Sequence, residues 1–233
     1  MLPTFCPLPH RGLLGLTGPD ASALLQGTCT QDVRLLESQP LLYAAHLTPQ
    51  GRLMCDFLVF QHNSMLVLDV ATTHLLPLAK SLHRYSVGLQ VELHDMSANW
   101  QQGLSATATP HSYADPRHPQ LPQRVYAPKT MAYTPQHDET LFWADFHLGI
   151  ADGVLDNPHG KALPAELGLD KTAISFTKGC YVGQEVTARL HHKAKPTKQL
   201  YKCTYTNHAP TGTPVMAAAV EAGWLGRSHH GHA

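Results

Sequence analysis

One stretch limits the possible folds of this chain more than any other: residues 176–190 read F-T-K-G-C-Y-V-G-Q-E-V-T-A-R-L. Nowhere else are lysine, glycine, cysteine, tyrosine, glutamine, glutamate and arginine so closely spaced. Val182, Val186 and Leu190 recur at i, i+4 and i+8, which is the apolar stripe of an amphipathic helix. The stripe predicts a helix that begins near Cys180.

Cys180 is the candidate reactive cysteine. A thiol at a helix start lies beside unpaired amide groups and the positive end of the helix dipole, and Lys178 is two residues upstream. Both features favour the thiolate form. Gly183 would lie in the first turn, at a cost of roughly 1 kcal/mol relative to alanine, which indicates a close backbone approach. The alternative is that Cys180 is a small buried hydrophobic residue and Lys178 a solvated charge.

Two pairs of opposite charges also stand out. Glu185 and Arg189 are an i, i+4 pair with the acid nearer the N-terminus, which is the favourable order on a helix. As a surface pair they would contribute only about 0.3 kcal/mol. Arg52 and Asp56 are four apart on a predicted strand and therefore lie on one face, where they would simply pair or contact a ligand.

Apolar runs and turn residues predict an α+β fold. Strands are predicted over 13–16, 41–47, 52–60, 65–70 and 89–93, and helices over 21–27 and 73–85. Hairpins among these strands favour an antiparallel sheet over a doubly wound nucleotide fold. The prediction continues with a proline-rich connection over 107–128, a strand at 131–133, a helix over 141–148 and strands at 200–205, 215–220 and 224–226.

Composition narrows the class of protein. Of the 233 residues, 43% are hydrophobic and 15% charged, and the formal net charge is zero, which is typical of a soluble globular protein. The balance of charge does not favour direct nucleic-acid binding or an anionic membrane surface. We find neither an apolar run of about 18 residues nor the pattern of a signal peptide, so the predicted location is cytoplasmic.

The cysteines and histidines indicate thiol chemistry rather than a metal centre. The five cysteines are odd in number, widely spaced and without a C-x-x-C pair, which is typical of reduced thiols. Seventeen histidines are mostly scattered. Their local groups, at 191–192 and 229–232, have no paired cysteine or carboxylate to complete a ligand pattern, so no metal site is predicted.

The string K-G-C-Y-V-G-Q-E, followed by V-T-A-R, resembles the signature of YgfZ-type folate-binding proteins. These bacterial relatives of the glycine-cleavage T-protein support iron–sulfur enzymes and tRNA modification. Further residues that match the family are Gly18, Asp20, Ala21, Leu25, Gln26, Gly27, Thr30, Asp32, Pro49 to Arg52, Asp56, Phe57, Leu163, Pro164, Glu166, Leu169 and Asp170. One departure is D-F-H at 145–147, where family members usually have an arginine.

The resemblance implies a T-protein-like multi-subdomain α+β fold with antiparallel sheets around a central hole that receives folate. We expect an N-terminal α+β folate-binding subdomain at 1–98 and a second α+β subdomain with the signature at 99–192. The remaining 193–233 would be a truncated C-terminal β module, because so few residues cannot build a full closing barrel.

The resemblance also implies a ligand, tetrahydrofolate or a one-carbon-substituted folate. Lys178 matches the family lysine implicated in folate binding, and Cys180 matches the functionally important cysteine, here the candidate catalytic residue. The other candidate folate ligands are Tyr181, Gln184, Glu185, Arg189 and Arg52. Cys180 would contact the folate-borne carbon unit, act as a transient ligand or redox partner in cluster maturation, or constrain folding.

Three functions therefore stay open. The first is a tetrahydrofolate-binding accessory protein for the assembly or repair of iron–sulfur enzymes, without classical turnover. Its partners would be folate and, transiently, iron–sulfur enzymes or cluster-assembly proteins. The second is a folate-dependent one-carbon transferase, which is less favoured because no catalytic aspartate can be placed. The third is a degenerate paralogue with weak folate binding.

Overall fold

The computed structural model describes residues 3–193, 196, 198–206, 209–229 and 232. The α-helices in this part are α1 (Ala21–Thr28), α2 (Thr72–Tyr85), α3 (Glu139–Phe142), α4 (Ala144–His147) and α5 (Gln184–Lys193), and 3-10 helices cover Val33–Glu37, Pro164–Leu167 and Leu169–Lys171. The strands are β1 (Thr4–Pro7), β2 (Arg11–Thr17), β3 (Leu42–Leu47), β4 (Leu53–His62), β5 (Met65–Ala71), β6 (Glu92–Asp95), β7 (Trp100–Ser105), β8 (Ser112–Tyr113), β9 (Gln123–Pro128), β10 (Thr134–Pro135), β11 (Pro214–Ala217) and β12 (Val220–Trp224).

The larger core surrounds a five-stranded antiparallel sheet with the order β3-β4-β5-β2-β6. One face packs on α1 and α2 through side chains such as Leu24, Phe57 and Leu82. The other face, which includes Leu13 and Phe60, packs against the second sheet and the chain around residues 162–181. Both faces are buried, which explains why these strands read as continuous apolar runs.

The second sheet has the order β10-β1-β7-β9-β8. Six residue pairs join β7 to β9 in antiparallel register, and β1 pairs with β7 on the opposite edge. Strand β1 lies at the start of the predicted first subdomain but joins strands of the second. The predicted α+β class with antiparallel sheets is confirmed, whereas the boundaries at 98/99 and 192/193 stay predictions.

Two predictions between residues 107 and 148 are wrong. The proline-rich connection contains β8 and the six-residue strand β9, because its prolines lie at or outside the ends of β9 and leave the inner residues free to pair. The helix predicted over 141–148 is split into α3 and α4. The backbone of Trp143, with φ −100° and ψ 11°, leaves helical geometry between them.

The C-terminal part also differs from the prediction. Helix α5 begins at Gln184 rather than Cys180, because Gly183 has a φ of +82° that stops a right-handed helix from extending backwards. The predicted strand over 200–205 is wrong: its residues form only an isolated bridge between Thr204 and His232. Strands β11 and β12 form a separate, largely exposed two-stranded sheet. No helix in the described ranges is long and apolar enough to cross a membrane.

Candidate functional site

The signature residues form a loop, residues 173–183, that is attached to the segment of residues 26–31 by hydrogen bonds. The Ser175 amide donates to the Thr30 carbonyl at 3.0 Å, and the Thr30 hydroxyl donates to the Ala173 carbonyl at 2.6 Å. At the other end, the Val182 amide donates to the Gly27 carbonyl at 3.1 Å. The two segments are far apart in sequence, so the fold itself builds this contact.

Lys178 lies between these attachments and is only 5% exposed. Its ammonium group donates to the carbonyls of Gln26 at 2.7 Å, Cys29 at 2.8 Å and Gln31 at 2.8 Å. Burial lowers the pKa of Lys178 below its ordinary value. The interpretation of Lys178 as a solvated charge is therefore wrong.

Cys180 is exposed at the surface of the loop, so the alternative that it is a buried hydrophobic residue is wrong. Cys6, Cys29 and Cys55 are buried, and Cys203 is the other exposed cysteine within the described ranges. Because α5 begins four residues after Cys180, the thiol does not lie at the helix start, and the prediction that the helix dipole acts on it is wrong.

Tyr181 and Gln184 serve the loop itself. Tyr181 is 7% exposed and belongs to the core cluster around the first sheet. Burial raises its pKa to about 12, and its ring centroid lies 5.2 Å from the ammonium nitrogen of Lys178. The side-chain oxygen of Gln184 accepts a hydrogen bond from the Tyr181 amide at 3.3 Å. Both residues are thus part of the framework that holds Cys180.

The charged candidates lie outside this buried framework. Glu185 and Arg189 are exposed on α5. Arg52 is exposed just before β4 and donates to the carbonyl of Lys161. The simple pairing of Arg52 with Asp56 is wrong, because Asp56 is buried and accepts a hydrogen bond from the Tyr43 hydroxyl at 2.8 Å. The roles of Glu185, Arg189 and Arg52 as folate ligands stay predictions.

A cavity of about 300 Å³, called the central cavity below, lies away from the signature loop, between the β1–β2 connection, β2, β7, the chain around 115–124 and α3. Its walls combine apolar side chains, among them Leu104, Phe142 and Trp143, with charged ones. None of the seven site residues predicted from sequence lines it. The ionisable residues that line it are His10, Arg11, Asp115, Arg117, Arg124, Asp145, Asp152 and Arg227.

Buried arginines and aspartates around the cavity pair with one another. Arg11 donates to Asp69 at 2.7 Å, and Arg117 and Arg124 donate to Asp115 at 2.9 and 2.8 Å. Burial would raise the pKa of Asp115, but the two guanidinium groups hold it well below its usual range. Each of these cations therefore already has a carboxylate partner.

Two further carboxyl groups complete this region. Burial, followed by repulsion from Asp152, raises the pKa of Asp56, whose Oδ1 has no hydrogen-bond partner among the described residues. For Asp152, burial also acts to raise the pKa, but Arg227 and Arg11 bring it below the ordinary value. Asp152 thus lines the cavity as a carboxylate, with Asp56 buried behind it as a more easily protonated group.

Sequence reasoning missed this charged region, although a signal was present. Asp56 and Asp69 interrupt the apolar strands β4 and β5, and a buried carboxyl group requires a partner. Near the D-F-H departure at 145–147, Arg227 donates to Asp145 at 3.1 Å and to the Ile150 carbonyl at 2.8 Å, although it is distant in sequence.

These features define a class: an α+β protein with an exposed thiol on an anchored loop and, separately, a small cavity of apolar and paired charged groups. No group of three or more histidine, cysteine, aspartate or glutamate side chains in the described ranges is placed to hold a metal ion. The arrangement therefore has an exposed thiol that a partner can reach at the surface and, apart from it, a cavity of small-molecule size.

Comparison with known proteins narrows this class. No family model matches the chain. Curated relatives do match, and three of them are each named mitochondrial iron–sulfur cluster assembly factor IBA57 or a homologue of it. The protein from Pyricularia oryzae is 32% identical over 88% of this chain and 58% of its own length. The protein from Mycosarcoma maydis is 30% identical over 91% of this chain and 59% of its own length. The protein from Homo sapiens is 30% identical over 91% of this chain and 69% of its own length.

The chain belongs to the IBA57 family of iron–sulfur cluster assembly factors. This assignment confirms the resemblance to YgfZ-type proteins that the signature indicated. The chain spans slightly less than three fifths of the length of the two fungal relatives. Among solved structures, the glycine cleavage aminomethyltransferase of Bartonella henselae aligns with 42% of this chain and 27% of its own, at 15% identity and a TM-score of 0.38, too low to support an argument.

Proposed function

We propose that this protein is an accessory factor in the assembly or repair of iron–sulfur enzymes and that it acts through Cys180. The observation that carries the proposal is an exposed thiol on a loop whose two ends are fixed by backbone hydrogen bonds to residues 26–31. The names of the relatives supply the process. The degenerate alternative is disfavoured because a decayed protein would have no need of such an anchored thiol.

Cys180 would act as a transient thiolate ligand. Cysteine thiolates are the usual protein ligands of iron–sulfur clusters, and a ligand must reach a cluster that another protein carries. A surface loop meets that need, whereas the buried Cys29 and Cys55 do not. The partners are therefore iron–sulfur enzymes or cluster-assembly proteins that bring a cluster to the loop.

Folate binding is the second part of the proposal, with the central cavity as the site. About 300 Å³ is at the lower end of small-molecule sites, which suits the pterin ring of tetrahydrofolate or of a one-carbon-substituted folate. Leu104 and Phe142 would contact the ring faces, and the Asp152 carboxylate would accept hydrogen bonds from its edge. The anionic tail would extend outside, because the cavity arginines already have carboxylate partners.

Titration calorimetry of the reduced protein with tetrahydrofolate tests the folate site. Asp152→Asn should weaken binding at least tenfold, or roughly 1.4 kcal/mol. The control Asp95→Asn, on an exposed position of β6, should bind like the wild type. A loss of binding in Arg189→Gln, with Asp152→Asn unaffected, would place the ligand at α5 instead.

One observation supports the one-carbon transferase alternative. Asp56, with its raised pKa and an Oδ1 that has no hydrogen-bond partner among the described residues, would be the candidate for the catalytic aspartate that the sequence alone did not identify. The accessory role is favoured because Asp56 does not itself line the cavity. Transfer of a one-carbon unit from folate by the purified protein, abolished in Asp56→Asn, would reverse that preference.

Complementation tests the accessory role in a cell. A fungal strain without its own IBA57 homologue would receive this chain behind a mitochondrial leader, with an empty vector as control. The expected result is recovery of iron–sulfur enzyme activities. The relatives are named as mitochondrial, so the predicted cytoplasmic location has no support from them, and we propose that the protein works where iron–sulfur clusters are assembled.

A further inference from the structure

The ammonium group of Lys178 uses all of its donors within the protein. An ammonium has three N–H bonds, and those of Lys178 meet the carbonyls of Gln26, Cys29 and Gln31 at 2.7 to 2.8 Å. These carbonyls belong to the last turn of α1 and to the segment that follows it. One side chain of the signature loop thus binds three carbonyl groups of a segment about 150 residues away in sequence.

Backbone hydrogen bonds on either side of Lys178 attach the loop to the same segment. The bond from Ser175 to Thr30 lies before Lys178 in the chain, and the bond from Val182 to Gly27 lies after it. Cys180 lies between Lys178 and Val182, so both flanks of the thiol residue attach to the same segment. Without the ammonium, the residues from 176 to 181 would have lost their central attachment.

We propose that Lys178 is a positioning residue, which holds the 173–183 loop on residues 26–31 so that Cys180 is presented at the surface, and not a ligand of folate. The inference rests on the proposed role of Cys180. It assigns to the lysine of the signature a task distinct from the folate contact that the family resemblance implies.

The surroundings of Lys178 argue against a ligand role. The side chain is 5% exposed and does not line the central cavity. To bind a folate carboxylate, the ammonium would have to leave one or more of its three carbonyl partners. An abandoned carbonyl would lose its donor, at the greatest cost for the buried Cys29 carbonyl and at a smaller cost for the part-buried carbonyls of Gln26 and Gln31.

The test compares Lys178→Met with Lys171→Met, an exposed lysine in the same part of the chain, in a Cys203→Ser background. Three quantities are measured on the purified proteins: hydrogen exchange of residues 26–31 and 173–182, the rate of Cys180 alkylation by iodoacetamide, and tetrahydrofolate affinity. Lys178→Met should speed exchange in both segments at least fivefold and change the alkylation rate at least threefold. Its folate affinity should stay within twofold of the Lys171→Met control.

The opposite pattern would overturn the proposal: exchange and alkylation unchanged in Lys178→Met while folate affinity falls tenfold. If Lys178→Met does not fold, Lys178→Gln, which keeps two donors, is judged by the same criteria. These readouts do not involve cluster chemistry. If complementation failed while Lys178→Met showed the expected faster hydrogen exchange, the accessory function would be contradicted and the positioning role of Lys178 would still hold.

Discussion

Arg227 and Asp156 are joined by two hydrogen bonds: the Arg227 amide donates to Oδ1 at 2.7 Å, and its Nε donates to Oδ2 at 3.0 Å. Both side chains are buried. The same guanidinium reaches Asp145 and the Ile150 carbonyl. This one residue therefore fastens the C-terminal segment to the chain that borders the central cavity.

Arg227→Ala should destabilise the protein by about 3 to 5 kcal/mol, because it leaves the buried Asp156 carboxylate without its cation. Arg34→Ala is the control, since Arg34 is 68% exposed and pairs with Asp32 at the surface, where solvent screens the pair and its loss should change stability little. Urea unfolding measures both. Equal losses in the two variants would show that the Arg227 contacts do not carry the stability assigned to them.

Two glycines of the signature loop should respond differently to alanine. Gly183 has a φ of +82°, and an added Cβ would lie 2.6 Å from the Thr48 carbonyl oxygen. The left-handed backbone alone costs about 1 to 2 kcal/mol for alanine, and the close contact adds to it. Gly179 has open space for a Cβ among the described atoms, so Gly179→Ala should cost less than about 1 kcal/mol. Thermal and urea unfolding of both variants measure the two losses of stability, and the loss should be larger for Gly183→Ala than for Gly179→Ala.

His46 should make stability depend on pH. It is buried between the Thr28 carbonyl and the Ser81 hydroxyl, each at 2.8 Å, and burial lowers its pKa below 6.5. Below pH 6.5 the unfolded chain therefore binds more protons than the folded chain. As the pH is lowered, the free energy of unfolding falls until the pH passes below the folded-state pKa. His46→Gln keeps both hydrogen-bonding functions without titrating. Its unfolding free energy, measured from pH 8 to 5, should fall less steeply than that of the wild type.

Asp56 should have the opposite effect. Burial and Asp152 raise its pKa above 3.8, so the folded state holds the proton more tightly than the unfolded state. The free energy of unfolding should then decrease as the pH rises from 3.8 through the folded-state pKa. Asp56→Asn removes this decrease in the free energy of unfolding. The difference in unfolding free energy between the variant and the wild type should therefore grow in favour of the variant as the pH rises and then level off. A difference between the two that is constant from pH 4 to 7 would contradict the raised pKa.

The fold was predictable where one physical pattern dominated. The apolar runs of β2, β3, β4 and β5 and the amphipathic α2 were found near their observed bounds. The helix near the signature was misplaced because periodicity extended it through Gly183, whose left-handed backbone ends it. Strand β9 was missed because its pairing with β7 depends on tertiary contact rather than on local pattern.

The candidate site divides in the same way. The signature identified the loop that presents Cys180, because that loop is continuous in sequence. The central cavity is assembled from Arg11, Asp115, Asp152 and Arg227, which only the fold brings together. The buried carboxyl groups in apolar strands showed that partners must exist but not which arginines they were.

The central claim, that the protein acts through the Cys180 thiol, is tested most directly by complementation with two serine variants. Cys180 and Cys203 are both exposed, but only Cys180 lies on the loop attached to residues 26–31. In a strain without its own IBA57 homologue, Cys180→Ser should fold normally and restore less than about a tenth of iron–sulfur enzyme activity, because serine cannot supply a thiolate ligand. Cys203→Ser should restore it fully, and full activity with Cys180→Ser would contradict the account.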